Sequence, residues 1–227
     1  MNTNFEYDSF LQNNRIKVNG YLNRVLWFFA LTGPAIATGV KGGIFRDISY
    51  ITCICISAVI ILMACIHLLL VRTYPDSIFT GVFALTALDI LLAYMSYSHV
   101  SIYITWFLVP LLSILFCSRN LYFYSVMLNY ILMLIVTRLT APYEAALSNE
   151  YEDAQAYFKD VMSGFTIESI VMFVSGLILG RLVLGYFKSL IDQQRHIVDQ
   201  DKEMKEKMDI LDSMAEIYDN VNLLDFV

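Results

Sequence analysis

From Ile48 to Val71 the chain contains no Asp, Glu, Lys or Arg. A run of about 20 such residues is what a helix needs to cross the hydrocarbon core of a bilayer, and a soluble core helix seldom has one. The same character recurs along the chain. Apolar residues make up 58% of it and charged residues only 16%, with a mean hydropathy of +0.59. An ordinary soluble domain carries roughly a quarter charged residues. The charges that do occur gather in the first 24 residues, in an acidic stretch from Glu144 to Asp160, and in the last 40 residues. Lipid is the solvent that suits this arrangement.

Apolar runs predict six spans, at about 22–40, 48–70, 77–95, 100–117, 121–137 and 166–187. Pro34 falls inside the first and should kink it. The expected fold class is therefore all-α: a polytopic membrane protein with a six-transmembrane-helix bundle. A cytoplasmic N-terminal segment at 1–21 precedes the transmembrane domain at 22–187, and a cytoplasmic C-terminal signalling or coiled-coil helix follows at 188–227. The links after spans two, three and four are short, so consecutive helices should be antiparallel neighbours. Only the link from Arg138 to Phe165 is long, and its stretch from Glu144 to Met162 reads as a short amphipathic helix on the outer surface.

Orientation follows from the basic residues. An N-terminus inside the cell puts Arg15, Lys17, Arg24, Arg72, Arg119, Arg181, Lys188 and Arg195 on the cytoplasmic side. It leaves only Lys41, Arg46, Arg138 and Lys159 outside, the bias expected when both ends are cytoplasmic. The first 20 residues are polar, so no cleavable signal peptide is expected.

A net charge of −6 and a pI near 5.0 exclude the basic face that nucleic acid requires. Cys53, Cys55 and Cys65 share one span and Cys117 ends another, which suits packing thiols rather than a disulfide framework or a metal site. His67, His99 and His196 fall at the inner side, the outer side and in the tail. No catalytic constellation and no metal ligand set is legible, no cofactor is expected, and the chain does not read as an enzyme.

Ionisable residues inside spans are expensive and mark candidate sites. Asp89 lies in the outer half of span three, Glu168 opens span six at a similar level, and Arg138 closes span five. Tyr94, Tyr103 and Trp106 belong to the same outer layer, with Asn129 and Tyr130 in mid-span. Asp89, Tyr103, Asn129, Arg138 and Glu168 could together line an outward-opening pocket for a small polar ligand. The alternative is an Asp89–Arg138 or Glu168–Arg138 pair within an aromatic interface belt. His67 and Arg181, near the inner ends, need only snorkel to the headgroups.

The tail carries a second pattern. No Gly or Pro follows Gly185, so span six should continue into the cytoplasm as one helix. Val183, Leu190, Ile197, Met204, Leu211 and Tyr218 recur at a spacing of seven, the period of a coiled-coil seam. The companion line holds Gln194 and Asp201 before Met208 and Ala215, so the seam is half polar and should be marginal. Continued backwards, the line reaches Gly176, which with Gly180 makes a GxxxG pair of the kind that lets helices approach closely in lipid. A parallel homodimer through this helix is one reading. A solvated helix end, with the glycines packed inside the bundle, is the other.

The stretch KMDILDSMAEIYDNVNLLDF, from Lys207 to Phe226, resembles the connector of many Firmicutes sensor proteins. There a membrane helix array is followed by a signalling helix, a PAS-like domain and an output such as a diguanylate cyclase or a sensor histidine kinase. The resemblance covers roughly Met208 to Val227 and the six-helix layout. It implies a sensory input module whose NLLDFV ending opens a truncated PAS-like domain, with the output domain absent from this chain. A vitamin-type transporter subunit binding substrate near Asp89, or a membrane anchor for a partner protein, are the alternative functions.

Overall fold

The computed structural model describes residues 3–43, 49–98, 106–148 and 150–224, without the side chains of 3–6 and 216–224. Among the described residues six helices follow one another: α1 (Thr3–Lys41), α2 (Tyr50–Thr73), α3 (Ile78–Tyr97), α4 (Leu108–Ile114), α5 (Arg119–Leu147) and α6 (Ala154–Leu224). No strand occurs among the described residues. Within the described residues four helices are long and apolar enough to cross a membrane: α2, α3, α5 and the part of α6 from Ala154 to Ala215. In hydrocarbon a helix is the natural choice, because it satisfies its backbone N–H and C=O groups within the segment. Two compact units result, Met1–Leu182 and Val183–Val227.

In the first unit α3 is the central helix, meeting α1, α2, α4 and α5. Its Ala84, Leu85, Leu88 and Leu92 form the core with Val18, Leu22 and Leu26 of α1, Ala64 of α2, and Val109, Phe116 and Leu121. Ser77 caps α3 by accepting from the Phe79 amide at 3.2 Å, and Ser118 caps α5 by accepting from Leu121. Just before that cap, Cys117 adopts φ 53°, a left-handed conformation that breaks the preceding turn. Helices α1 and α2 approach closely at Gly33, where a Cβ would collide with the Ser57 hydroxyl.

The predicted fourth span, 100–117, lies partly outside the described residues, and its visible part is the seven-residue α4. The other boundaries shift for identifiable reasons. Helix α1 begins at Thr3, so the polar segment expected at 1–21 is helical and its later part packs into the bundle, with Val18 and Asn19 buried. Its polar residues hold the turns at one end of the unit. Gln12 donates to Asp76 at 2.7 Å, and Asn14 donates to the Leu115 carbonyl at 2.8 Å. Asn19 donates to the carbonyls of Pro75 at 2.8 Å and Ser77 at 3.1 Å. The Pro75 and Leu115 carbonyls lie outside the helices and take their donors from these side chains, while the Ser77 carbonyl, at the N-cap of α3, gains a second donor beside its helical one.

The surface helix expected over 144–162 does not form. Helix α5 runs on to Leu147, and α6 starts at Ala154. Asp153 starts α6 by accepting from the Ala156 amide at 2.6 Å, a side-chain cap on one of the unpartnered first-turn donors. In the second unit α6 continues to Leu224 as the same helix. There Leu190, Ile197, Met204 and Leu211 are all exposed, and the Tyr218 side chain lies outside the described residues.

Replacing Asn19 by Leu removes the side-chain donor from the Pro75 carbonyl and the second donor from the Ser77 carbonyl. It should lower unfolding stability in detergent by about 1–3 kcal/mol. Gln12→Leu, at the exposed end of the same face, should cost less than about 1 kcal/mol. Equal thermal shifts for the two variants would contradict the assigned role of Asn19.

Candidate functional site

Asp89 sits on the buried face of α3, with relative exposure 0%. Opposite it on α5, Asn129 spends both amide hydrogens, one on Asp89 Oδ1 at 3.1 Å and one on the Trp106 carbonyl at 2.9 Å. The three residues tie α3, α5 and the turn that leads into α4. Asp89 Oδ2 has no hydrogen-bond partner among the described residues. Asn129 is also buried, and Trp106 belongs to an apolar cluster with Ala93, Met133, Val136, Met162 and Phe165.

Of the five residues proposed from the sequence as a ligand pocket, only Asp89 and Asn129 come together. Arg138 is exposed and its guanidinium lies over the Phe158 ring, 5.5 Å from the centroid. Glu168 is exposed, and Tyr103 lies outside the described residues. Among the described residues no ion pair is seen between Asp89, Arg138 and Glu168, the first being buried and the other two exposed. The physical reason is depth and direction: Asp89 points into the packed face of α3, whereas Arg138 and Glu168 point away from the core. The cavity of about 310 Å³ lies elsewhere, between α1, α2 and α3, lined by Leu26, Ile56, Val59, Met63, Ile90 and Tyr94. Its walls are almost wholly apolar.

A second node was not legible in the apolar runs. Asn23 of α1 donates to the Ala64 carbonyl at 3.1 Å and faces His67 Nδ1 at 3.2 Å. Because the asparagine N–H is the donor, Nδ1 accepts and the proton of a neutral imidazole resides on Nε2. The ring stacks on Phe83 at 6.3 Å. His67, expected to snorkel, is instead fully buried. The available signal was the four-residue spacing of Asn19 and Asn23 beside Val18, Leu22 and Leu26, which places amides on the buried face of α1.

Helix α6 is held by two tyrosines of α5. Tyr122 donates to the Met172 carbonyl at 2.7 Å, and Tyr130 shares a hydrogen bond with Thr166 at 2.9 Å while stacking on Phe165. Tyr130 directly follows Asn129, so adjacent residues of α5 touch the Asp89 node on one side and α6 on the other. Most of the apolar surface of α6 remains open, including Ile167, Ile170, Val171, Val174 and Ile178.

Gly176 is engaged within the chain, the arrangement of the alternative that packs it inside the bundle. A Cβ there would collide with the Tyr122 phenol, so the glycine makes room for that ring. Gly180 has open space around it. Residues seven apart drift by about 20° per heptad around a straight helix, so the line through Gly176 need not stay on the seam face further along.

No family model, curated protein or solved structure matches the chain.

Two substitutions separate these roles. Asn129→Leu should destabilise the detergent-solubilised chain by about 1–3 kcal/mol, since it strips a partner from both Asp89 and Trp106. Asp89→Asn, which retains an acceptor, should cost less, and the reverse order in thermal unfolding would refute the node. Gly176→Leu should destabilise the chain strongly and Gly180→Leu should leave it folded, as read by monodispersity in size-exclusion chromatography.

Proposed function

We propose that this chain is the membrane input module of a signal-transduction protein. A stimulus received in the helical bundle is passed through α6, as the sixth crossing, to a dimeric connector helix and on to a cytoplasmic output domain or partner. The observation that carries this reading is the unbroken helix from Ala154 to Leu224, which joins an apolar membrane-capable segment to an exposed period-seven seam in one covalent element. A small piston, tilt or rotation of such a helix changes how its seam packs, and a half-polar seam supplies two packings close in free energy.

The contacts of α5 supply a route. A shift at the Asp89–Asn129 node moves the neighbouring Tyr130, which holds α6 at Thr166. A transport reading has less support, because Asp89 is enclosed in packed side chains and the cavity between α1, α2 and α3 carries almost no polar group.

In this reading the chain crosses a bacterial cell membrane six times, with both termini cytoplasmic, and acts as a homodimer. One structural detail favours the topology. The α1 residues Gln12, Asn14 and Asn19 bond the Pro75–Ser77 turn and Leu115, and all of these segments are cytoplasmic in the positive-inside assignment. The same end carries Arg15, Lys17, Arg72 and Arg119.

Both parts are testable in a variant lacking the native cysteines. On intact cells a membrane-impermeant thiol reagent should label Glu152→Cys and leave Gln200→Cys unlabelled, and the opposite pattern would invert the topology. In membranes, Leu190→Cys and Ile197→Cys should form disulfide-linked dimers severalfold faster than Asp192→Cys and Asp199→Cys, which lie across the helix. Equal rates would remove the dimeric connector.

A further inference from the structure

The seam is not uniform, and its irregularity has a position. With Leu190, Ile197, Met204 and Leu211 on one line, the second line of the heptad holds Gln194, Asp201, Met208 and Ala215. Two copies in one membrane share one orientation, so their connector helices run parallel. In a parallel pair, residues on that second line meet their own copies across the seam. Gln194 then meets a neutral amide with which it can exchange hydrogen bonds, and Met208 meets Met208. Asp201 alone brings like charges together.

The flanks favour a second copy as the occupant of this face. Lys207 lies just before the second line, and Asp212 follows the first line five residues later. That is the spacing at which charges of two parallel helices pair across the seam, so Lys207 of one copy faces Asp212 of the other. Leu190, Ile197, Met204, Met208 and Leu211 each have more than half of their surface exposed, at 56%, 59%, 61%, 55% and 64%. Five large apolar side chains on one helical stripe lack any cover within the chain.

We propose that Asp201 divides this dimer seam into two separately closing halves and is the residue that keeps it switchable, an inference that rests on the dimeric reading above. The first half closes through Leu190, Gln194 and Ile197, with Val198 beside them. The second closes through Met204, Met208 and Leu211, with the Lys207–Asp212 pairs on its flanks. Between them two apposed carboxylates repel. Lys202 and Lys205 are the nearest cations on the same helix, and exposed pairs of this kind offset little. The repulsion acts through water-exposed surface, so salt weakens it.

The test uses the full chain without its native cysteines, reconstituted in lipid nanodiscs. A nitroxide on Glu206→Cys, outside the seam, reports the distance between copies by pulsed dipolar spectroscopy. Asp201→Asn should raise the ratio of short-distance to long-distance population about fivefold at low salt, the factor expected for like charges a few ångströms apart in water. The gain should shrink at 1 M salt. Asp209→Asn, an acidic residue beside the seam, should change nothing. An unchanged distribution with Asp201→Asn, or an equal change with Asp209→Asn, overturns the inference while the dimer stands. Absence of any distance between copies, in every variant, overturns the dimer as well.

Discussion

The account depends on the unbroken backbone ladder of α6. A helix transmits displacement only while each N–H remains bonded to the carbonyl four residues before it, and a single interior proline or a glycine cluster would let the ends move independently. From Ala154 to Leu224 the sequence has no proline, and beyond Gly185 no glycine either. That absence is costly to maintain by chance in a polar, exposed segment, where isolated helix has little stability of its own. It makes sense if a second helix supplies the missing burial.

The rest of the first unit can be understood as a frame against which α6 is held. Serine and threonine hydroxyls there mostly bond back to their own helix, whereas the amides of Gln12, Asn14, Asn19, Asn23 and Asn129 bond between elements. Asn19 and Asn23 fasten α1 to the turn after α2 and to α2 itself, and Asn129 fastens α5 to α3 and to the chain ahead of α4. In hydrocarbon these bonds face no competition from water, although measured values in membranes are modest, about 0.6 kcal/mol on average. Their value here is positional. They specify which helix faces which, whereas apolar packing alone tolerates several arrangements.

The apolar spans were legible because hydropathy reads side-chain transfer, and α2, α3, α5 and α6 are dominated by it. What hydropathy does not read is a polar residue satisfied inside the fold. Helix α1 extends to Thr3 because Gln12, Asn14 and Asn19 find acceptors at the turns, the Asp76 carboxylate for Gln12 and backbone carbonyls for the asparagines, and a sum of side-chain polarities counts those residues as solvent-facing. The start of α6 was readable in principle, since Asp153 stands where a capping aspartate belongs, but the expected surface helix from Glu144 to Met162 ran across it. At the candidate site, Asp89 and Asn129 stood out as polar groups in spans, and the structure joins them. Arg138 and Glu168 were grouped with them by depth alone. Depth says nothing about which face of a helix a side chain occupies, and both lie on the outer one.

The central claim is that residues below the last crossing form a continuous, paired helix. Amide hydrogen exchange of the full chain in lipid nanodiscs, followed by mass spectrometry, measures that directly. Protection extending without a gap from Phe187 to Ala215, and lost on dilution to one chain per disc, is the predicted result. Exchange at random-coil rates beginning near Phe187, whatever the number of chains per disc, would contradict it.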